Sequence, residues 1–204
     1  MIKKYANTTG HIVADFDGKL MLLDTGAAKT FYDVYQGVRV QDLSRMFGQP
    51  LDGVLGMDSL QGRVFTRTRE TVHVNGVPPD RDGAPLNDIS GRPGVDIRIN
   101  EVPCRAAIRT GATASYISEE LISKHKFTKT VDESHPFYGG FSVKMYVNYF
   151  RISDKSYFAD AGELPAEFAS LAPAGVDAII GTDVLTRFDM VMDCAGNRLH
   201  LVSN

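Results

Sequence analysis

Leu23-Asp24-Thr25-Gly26-Ala27 and, further along the chain, Ile108-Arg109-Thr110-Gly111-Ala112 are one pattern written twice: an apolar residue, a charged one, then Thr-Gly-Ala. Reading outward, Thr30-Phe31 follows the first copy as Ser115-Tyr116 follows the second. A second block pairs Asp52-Gly53-Val54-Leu55-Gly56-Met57-Asp58-Ser59-Leu60 with Asp177-Ala178-Ile179-Ile180-Gly181-Thr182-Asp183-Val184-Leu185, keeping two Asp, a Gly and a Leu in register. A third pairs Val72-His73-Val74 with Leu199-His200-Leu201. A single short match would carry little, but matches in the same order along the chain point to an internal repeat.

Each copy opens with hairpin signals. His11 to Phe16 and Lys19 to Asp24 are apolar-rich runs separated by Asp17-Gly18, a two-residue turn that suits the twist of paired strands. Val95 to Ile99 and Cys104 to Ile108 repeat the arrangement around a turn at Asn100 to Pro103. Between the copies, Asn75 to Gly94 is rich in Gly, Pro, Asp and Asn and reads as a connector. The expected organisation is a first half over 1–78, a connector over 79–94 and a second half over 95–204. Gly26 to Gly56 spans about 30 residues and Gly111 to Gly181 about 70, more than an ordinary connection explains, so the second copy carries an insertion. Inside it, His135 to Phe141, with Tyr138-Gly139-Gly140-Phe141, suggests a hairpin tip, followed by an aromatic, partly alternating run from Ser142 to Ile152.

Composition narrows the function classes. With 43% hydrophobic and 23% charged residues, the 204-residue chain can bury a core. A net charge of -3 without runs of Lys or Arg gives no footprint for nucleic acid or an anionic membrane surface. No apolar stretch is long enough to span a bilayer, and Met1 to Gly10 is polar, so the default expectation is a cytoplasmic protein. Cys104 and Cys194 are too few for a disulfide framework and are expected as free thiols. The five histidines (His11, His73, His125, His135, His200) show no metal-ligand spacing, and neither a metal nor another cofactor is expected.

Apolar-apolar-Asp-Thr-Gly-Ala, followed downstream by apolar-apolar-Gly-x-Asp-x-Leu, resembles the aspartic proteases of the retropepsin-like and pepsin-like superfamily over nearly the whole chain. The resemblance implies an all-β acid-protease barrel fold with two pseudo-two-fold-related halves and short helices. It also implies that the loops at Asp24, Thr25 and Gly26 and at Arg109, Thr110 and Gly111 meet at the base of a cleft, with Thr25 and Thr110 bonding across. Such enzymes use two carboxyls, one ionised to draw a proton from water and one protonated to donate to the substrate carbonyl, and like charges so close share one proton. Only Asp24 occupies such a position. Arg109 is a permanent cation that can neither donate nor accept that proton, and an Asp24 to Arg109 ion pair is the expectation at the centre of the loops. The family's flap can be carried over only to Tyr138, Gly139, Gly140 and Phe141, in the second half.

Plainer readings stand beside these. Asp24 could be a turn residue before glycine, and Arg109 a surface arginine. Asp58 and Asp183 read as structural, capping free amides at the start of short helices. Tyr146, Tyr149 and Phe150 read as core, whereas Tyr138 and Phe141 are the better ligand contacts. His73 and His200 fit a strand face exposed to solvent or an interface. Two functions follow: a pseudoprotease that holds an extended peptide or protein segment, or an active aspartic endopeptidase whose second carboxyl comes from a partner chain or an unrecognised residue. A purely structural role is a third. A monomer is favoured, with a homodimer as the alternative.

Overall fold

A computed structural model describes residues 2–6, 10–122, 126–135, 139–164 and 175–203. The first part of the chain supplies β1 (Ile2–Ala6), β2 (Val13–Phe16), β3 (Lys19–Leu23), the short pair β4 (Val34–Tyr35) and β5 (Val38–Arg39), and helix α1 (Val40–Phe47). It continues through β6 (Gly53–Leu55), helix α2 (Met57–Leu60), β7 (Val64–Arg67), β8 (Thr71–Val74) and β9 (Ala84–Asp88). The second part supplies β10 (Pro93–Ile99), β11 (Val102–Ile108), β12 (Tyr116–Ile117), a 3-10 turn at Glu119–Leu121, β13 (Phe127–His135), β14 (Gly139–Ile152) and β15 (Lys155–Glu163). It closes with β16 (Ala178–Ile180), helix α3 (Thr182–Leu185), β17 (Phe188–Asp193) and β18 (Arg198–Ser203).

The two anticipated hairpins form, although the second turn is Asn100-Glu101 alone, Val102 and Pro103 already belonging to β11. Asp17 and Gly18 both take positive φ (55° and 81°) between β2 and β3, and Asn100 and Glu101 do the same (50° and 66°) between β10 and β11. After each hairpin the chain leaves the sheet through the Thr-Gly-Ala loop and returns in a strand parallel to the one it left. Thus β3 pairs with β6, Leu23 opposite Leu55, and β11 pairs with β16, Ile108 opposite Ile180. In the second half β14, β15, β12, β16, β11 and β10 run in order, and β10 pairs back onto β14, closing a barrel without free edges.

The halves are joined by strands, not merely apposed. The β17–β18 hairpin lays β17 against β7 of the first half and β18 against β9, so one sheet runs through the molecule. Beneath it, Leu23, Phe65, Ile108, Ile180, Met190 and Met192, drawn from both halves, share a core with essentially no exposure. Burial of this kind favours folding by about 25 cal/mol per Å² of apolar surface, and neither half would keep it alone. The interval 79–94, expected as a connector, contains strand β9, which pairs with both β10 and β18. Its Gly, Pro and Asn mark the turns around that strand and hide its pairing from a local reading.

Where the second half has its insertion, the first has the short helix α1, which buries Val40, Leu43 and Phe47 on one face. The insertion is a long hairpin of β13 and β14, continued antiparallel by β15. Gly139 and Gly140 are not its tip: they lie in β14, opposite His135 and Ser134. Two glycines adjoining a reversal suggest a turn, but extended pairing accommodates them equally well. Tyr138 lies outside the described residues. Tyr146 and Phe150 are core residues as expected, while Tyr149 packs against Phe158 with ring centroids 5.1 Å apart. His200 is buried in β18, where a solvent-facing or interface position was expected, because pairing on both sides covers that strand.

Among the described residues no helix is long and apolar enough to cross a membrane. Cys104 and Cys194 are free, half-buried thiols. Burial pushes the Cys104 thiol up to about 12, helped by Asp177, and the Cys194 thiol up to about 11, helped by Asp193. A raised thiol pKa leaves less thiolate, the reactive form, at any pH below it. Alkylation of the folded protein at pH 8 should therefore run at least about tenfold slower than in denaturant, where two thiols per chain should react. Equal rates in both states, or fewer than two reactive groups in denaturant without reductant, would contradict this.

Candidate active site

Each Thr-Gly-Ala loop is tied to its own half by a matched set of backbone bonds. Asp24 N–H donates to Leu55 O (3.1 Å) and Arg109 N–H to Ile180 O (2.9 Å). Met57 N–H donates to Ala27 O (2.9 Å) and Thr182 N–H to Ala112 O (2.8 Å), which seats α2 and α3 beneath the loops. The helix carboxylates complete the clamp. Asp58 Oδ1 accepts from Thr30 N–H and Oγ1, both at 2.7 Å, while Asp183 accepts from Ser115 N–H (3.0 Å) and Oγ (2.7 Å). Asp58 and Asp183 are thus structural as expected, but they sit inside the helices, and the N-cap positions belong to Gly56 and Gly181. Their chief service is to hold the returning chain. Glycine is needed there for room: a Cβ on Gly181 would stand 2.4 Å from Ala114 O.

Across the centre, the two threonines exchange bonds reciprocally. Thr25 N–H donates to Thr110 Oγ1 and Thr110 N–H to Thr25 Oγ1, both at 3.0 Å. The hydroxyls then donate outward, Thr25 to Ile108 O (2.7 Å) and Thr110 to Leu23 O (2.9 Å). Both residues are fully buried, so these four bonds satisfy groups that water cannot reach.

Above them sit the two charged residues. Asp24 Oδ1 accepts from Gly26 N–H (2.6 Å), and its carboxylate lies over the opposite loop, where a Cβ on Gly111 would stand 2.4 Å from Asp24 Cγ. Arg109 crosses the other way: a Cβ on Gly26 would stand 3.2 Å from both its Cδ and its Nη1. The loops therefore place Asp24 and Arg109 at corresponding points, and the surface-arginine reading of Arg109 falls. The expected Asp24 to Arg109 ion pair does not form among the described residues: both side chains approach Gly26, where a Cβ would stand 2.8 Å from Asp24 Oδ1 and 3.2 Å from Arg109 Nη1, but the carboxylate takes its hydrogen bond from Gly26 N–H. Burial lowers the Arg109 pKa to about 10; Asp24 opposes that shift and Arg92 adds to it.

Arg92 is the residue that sequence reasoning missed. It lies at the end of the β9–β10 turn, where Ser90 and Gly91 have positive φ, and its Nε donates to Gly26 O (2.7 Å). No local signal distinguishes it from any other arginine in a polar stretch.

A cavity of about 400 Å³ opens beneath the β13–β14 hairpin, next to the second loop, lined by Thr113, Val131, Glu133, Met145, Val147 and Asp183 among others. Glu133 accepts from Thr113 Oγ1 (3.3 Å), and burial raises its pKa, against that hydrogen bond. Phe141 is half-buried against the small core at the base of this hairpin, with Ala114, Tyr116, Val143, Met145 and Ile179. Among the described residues no cluster of His, Cys, Asp or Glu could hold a metal ion.

The sequence profile of the retroviral aspartyl protease family matches residues 94–204, more than half of the chain. The chain belongs to that family. Its fold is also that of a solved aspartic proteinase from Irpex lacteus, with a TM-score of 0.60 over 100% of this chain and 97% of the other at 12% identity. No curated protein matches the chain in sequence. The family match covers the half that carries Arg109 and the β13–β14 hairpin, while the structural match extends through the half that carries Asp24.

Proposed function

We propose that this family member is a pseudoprotease that binds an extended peptide or protein segment and does not cut it. The observation that carries the reading is Arg109 standing over Gly26, at the place corresponding to that of Asp24 over Gly111. Hydrolysis through a carboxyl pair needs a group at that place able to pass a proton, and a guanidinium is not one. What supports retained binding is the intact surrounding frame: the reciprocal threonine bonds, the two clamped helices and a hairpin beside the loop that can offer backbone groups to an extended segment. We read the paired loops as an internal duplication, with one copy having exchanged its acid for a base. Because both loops come from one chain, a monomer suffices to build the cleft.

The second reading, an active endopeptidase, is favoured by the intact Asp24-Thr25-Gly26-Ala27 and by Glu133, a carboxyl whose pKa burial raises. Against it, Glu133 lines a cavity whose walls include neither Asp24 nor Arg109. A mixed peptide pool incubated with the protein at acidic and neutral pH, then analysed by mass spectrometry, separates the two. The expected result is peptides retained intact by the protein and no new fragments; fragments that vanish with Asp24→Asn would establish the endopeptidase.

A further inference from the structure

The exchange of an acid for Arg109 alters the charge of the cleft floor as well as removing a proton carrier. Arg109 and Arg92 bring two cations to the loops and Asp24 one anion, an excess of one positive charge. Among the described residues no nitrogen of Arg109 and neither Nη of Arg92 has a hydrogen-bond or ion-pair partner; Arg92 spends only its Nε, on Gly26 O. These nitrogens face solvent, and a guanidinium offers five N–H groups in a planar fork. Asp24 acts on Arg109 through charge alone and gives it no hydrogen bond, its Oδ1 accepting from Gly26 N–H. Open donors, one excess charge and a position between the loops make a site for a singly charged, planar acceptor.

Taking the cleft as a peptide site, we infer that its floor binds a carboxylate of the peptide, held by Arg109 with Arg92 beside it. A carboxylate matches both features: its two oxygens pair with the guanidinium fork, and its single charge balances the excess. A phosphate, carrying nearly two charges at neutral pH, would leave the floor negative beside Asp24. A peptide can supply the group from its C-terminus or from an Asp or Glu side chain. The cleft then selects acidic or C-terminal segments in the place where an active relative would position a scissile bond.

Two measurements on the full chain test this. In the first, the side-chain Nε–H resonances of the arginines are followed by NMR during titration with N-acetylglycine or its amide; the Arg109 signal is identified by its loss in Arg109→Gln. The expected result is a saturable shift of the Arg109 signal with the acid and none with the amide. In the second, octapeptides of mixed sequence are presented in matched pairs, C-terminal acid against amide and internal Asp or Glu against Asn or Gln. The wild type should favour the carboxylate member of one pair about tenfold or more, and Arg109→Gln should erase that preference while sparing neutral peptides. Which pair responds identifies the source. Should Arg109→Gln not fold, Arg92→Gln should weaken the same preference. Peptides bound without any acid preference would overturn the carboxylate site and leave the peptide cleft standing. A shift with N-acetylglycine but no peptide bound in any form would uphold the anion site and sink the peptide cleft. Neither shift nor binding would sink both.

Discussion

On the pseudoprotease proposal, Arg109→Asp should produce a chain that cuts peptides at acidic pH, and adding Asp24→Asn should remove that activity. The loops already meet in the required way: the threonine bonds hold them together, and Asp24 and Arg109 project from corresponding positions over opposite glycines. An aspartate at 109 would bring a second carboxyl to the same floor. Two like charges so close raise the pKa of one of them, so the pair holds a single proton between the two pKa values. Activity should fall as pH rises past the raised pKa, where the shared proton leaves, and also at very low pH, where both carboxyls are protonated. General acid–base catalysis contributes roughly 10²–10⁴-fold, so the variant should exceed the wild type by at least about 10²-fold in initial rate on a peptide pool. Arg92 remains as a cation nearby and should shift the optimum further toward acid by favouring ionised carboxyls. Cleavage by the purified wild type, stopped by Asp24→Asn but not by an unrelated change, would reverse the reading. A second carboxyl would then have to be found, with Glu133 and a partner chain as the first places to look.

Thr25→Val should cost the chain a large part of its stability. Valine keeps the shape of threonine but cannot accept from Thr110 N–H or donate to Ile108 O, leaving two buried backbone groups unsatisfied. Each such group costs about 1–3 kcal/mol, so a loss of about 2–6 kcal/mol is expected in urea unfolding. That is a large part of the usual stability of a domain this size. Thr110→Val should behave alike, because it strands Thr25 N–H and Leu23 O. Thr25→Ser restores the hydroxyl and should return most of the lost stability. If Thr25→Val unfolds within about 0.5 kcal/mol of the wild type, the reciprocal bonds do not hold the halves together.

The two loops were readable from residues because both must solve one local problem, bringing a hairpin into a tight loop and returning parallel beneath it. Asp17-Gly18 and Asn100-Glu101 occupy positive φ, Thr25 and Thr110 face each other, and Gly181 leaves space for the Ala114 carbonyl. Each of these demands a particular residue type at a particular spacing, and such demands leave a pattern in the chain. Arg109 in the position matching Asp24 was equally legible, since a charged residue in a matched position is visible whatever surrounds it.

Other features depend on neighbours distant in sequence, and only the tertiary structure decided them. Strand β9 exists because β10 and β18 flank it; its own Gly- and Pro-rich surroundings argue for a connector. Gly139 and Gly140 are strand residues because β13 pairs across from them, whereas glycine alone suits a turn as well. Opposite charges predicted an Asp24 to Arg109 ion pair, but the Asp24 carboxylate takes its hydrogen bond from Gly26 N–H and no such pair forms among the described residues. Arg92 reaches Gly26 only because a turn elsewhere in the chain delivers it there. The sequence by itself determined the two Thr-Gly-Ala loops and their threonines, since local backbone geometry selects those residues. Which charges meet between the loops was decided by packing, since that depends on where separate segments come to rest.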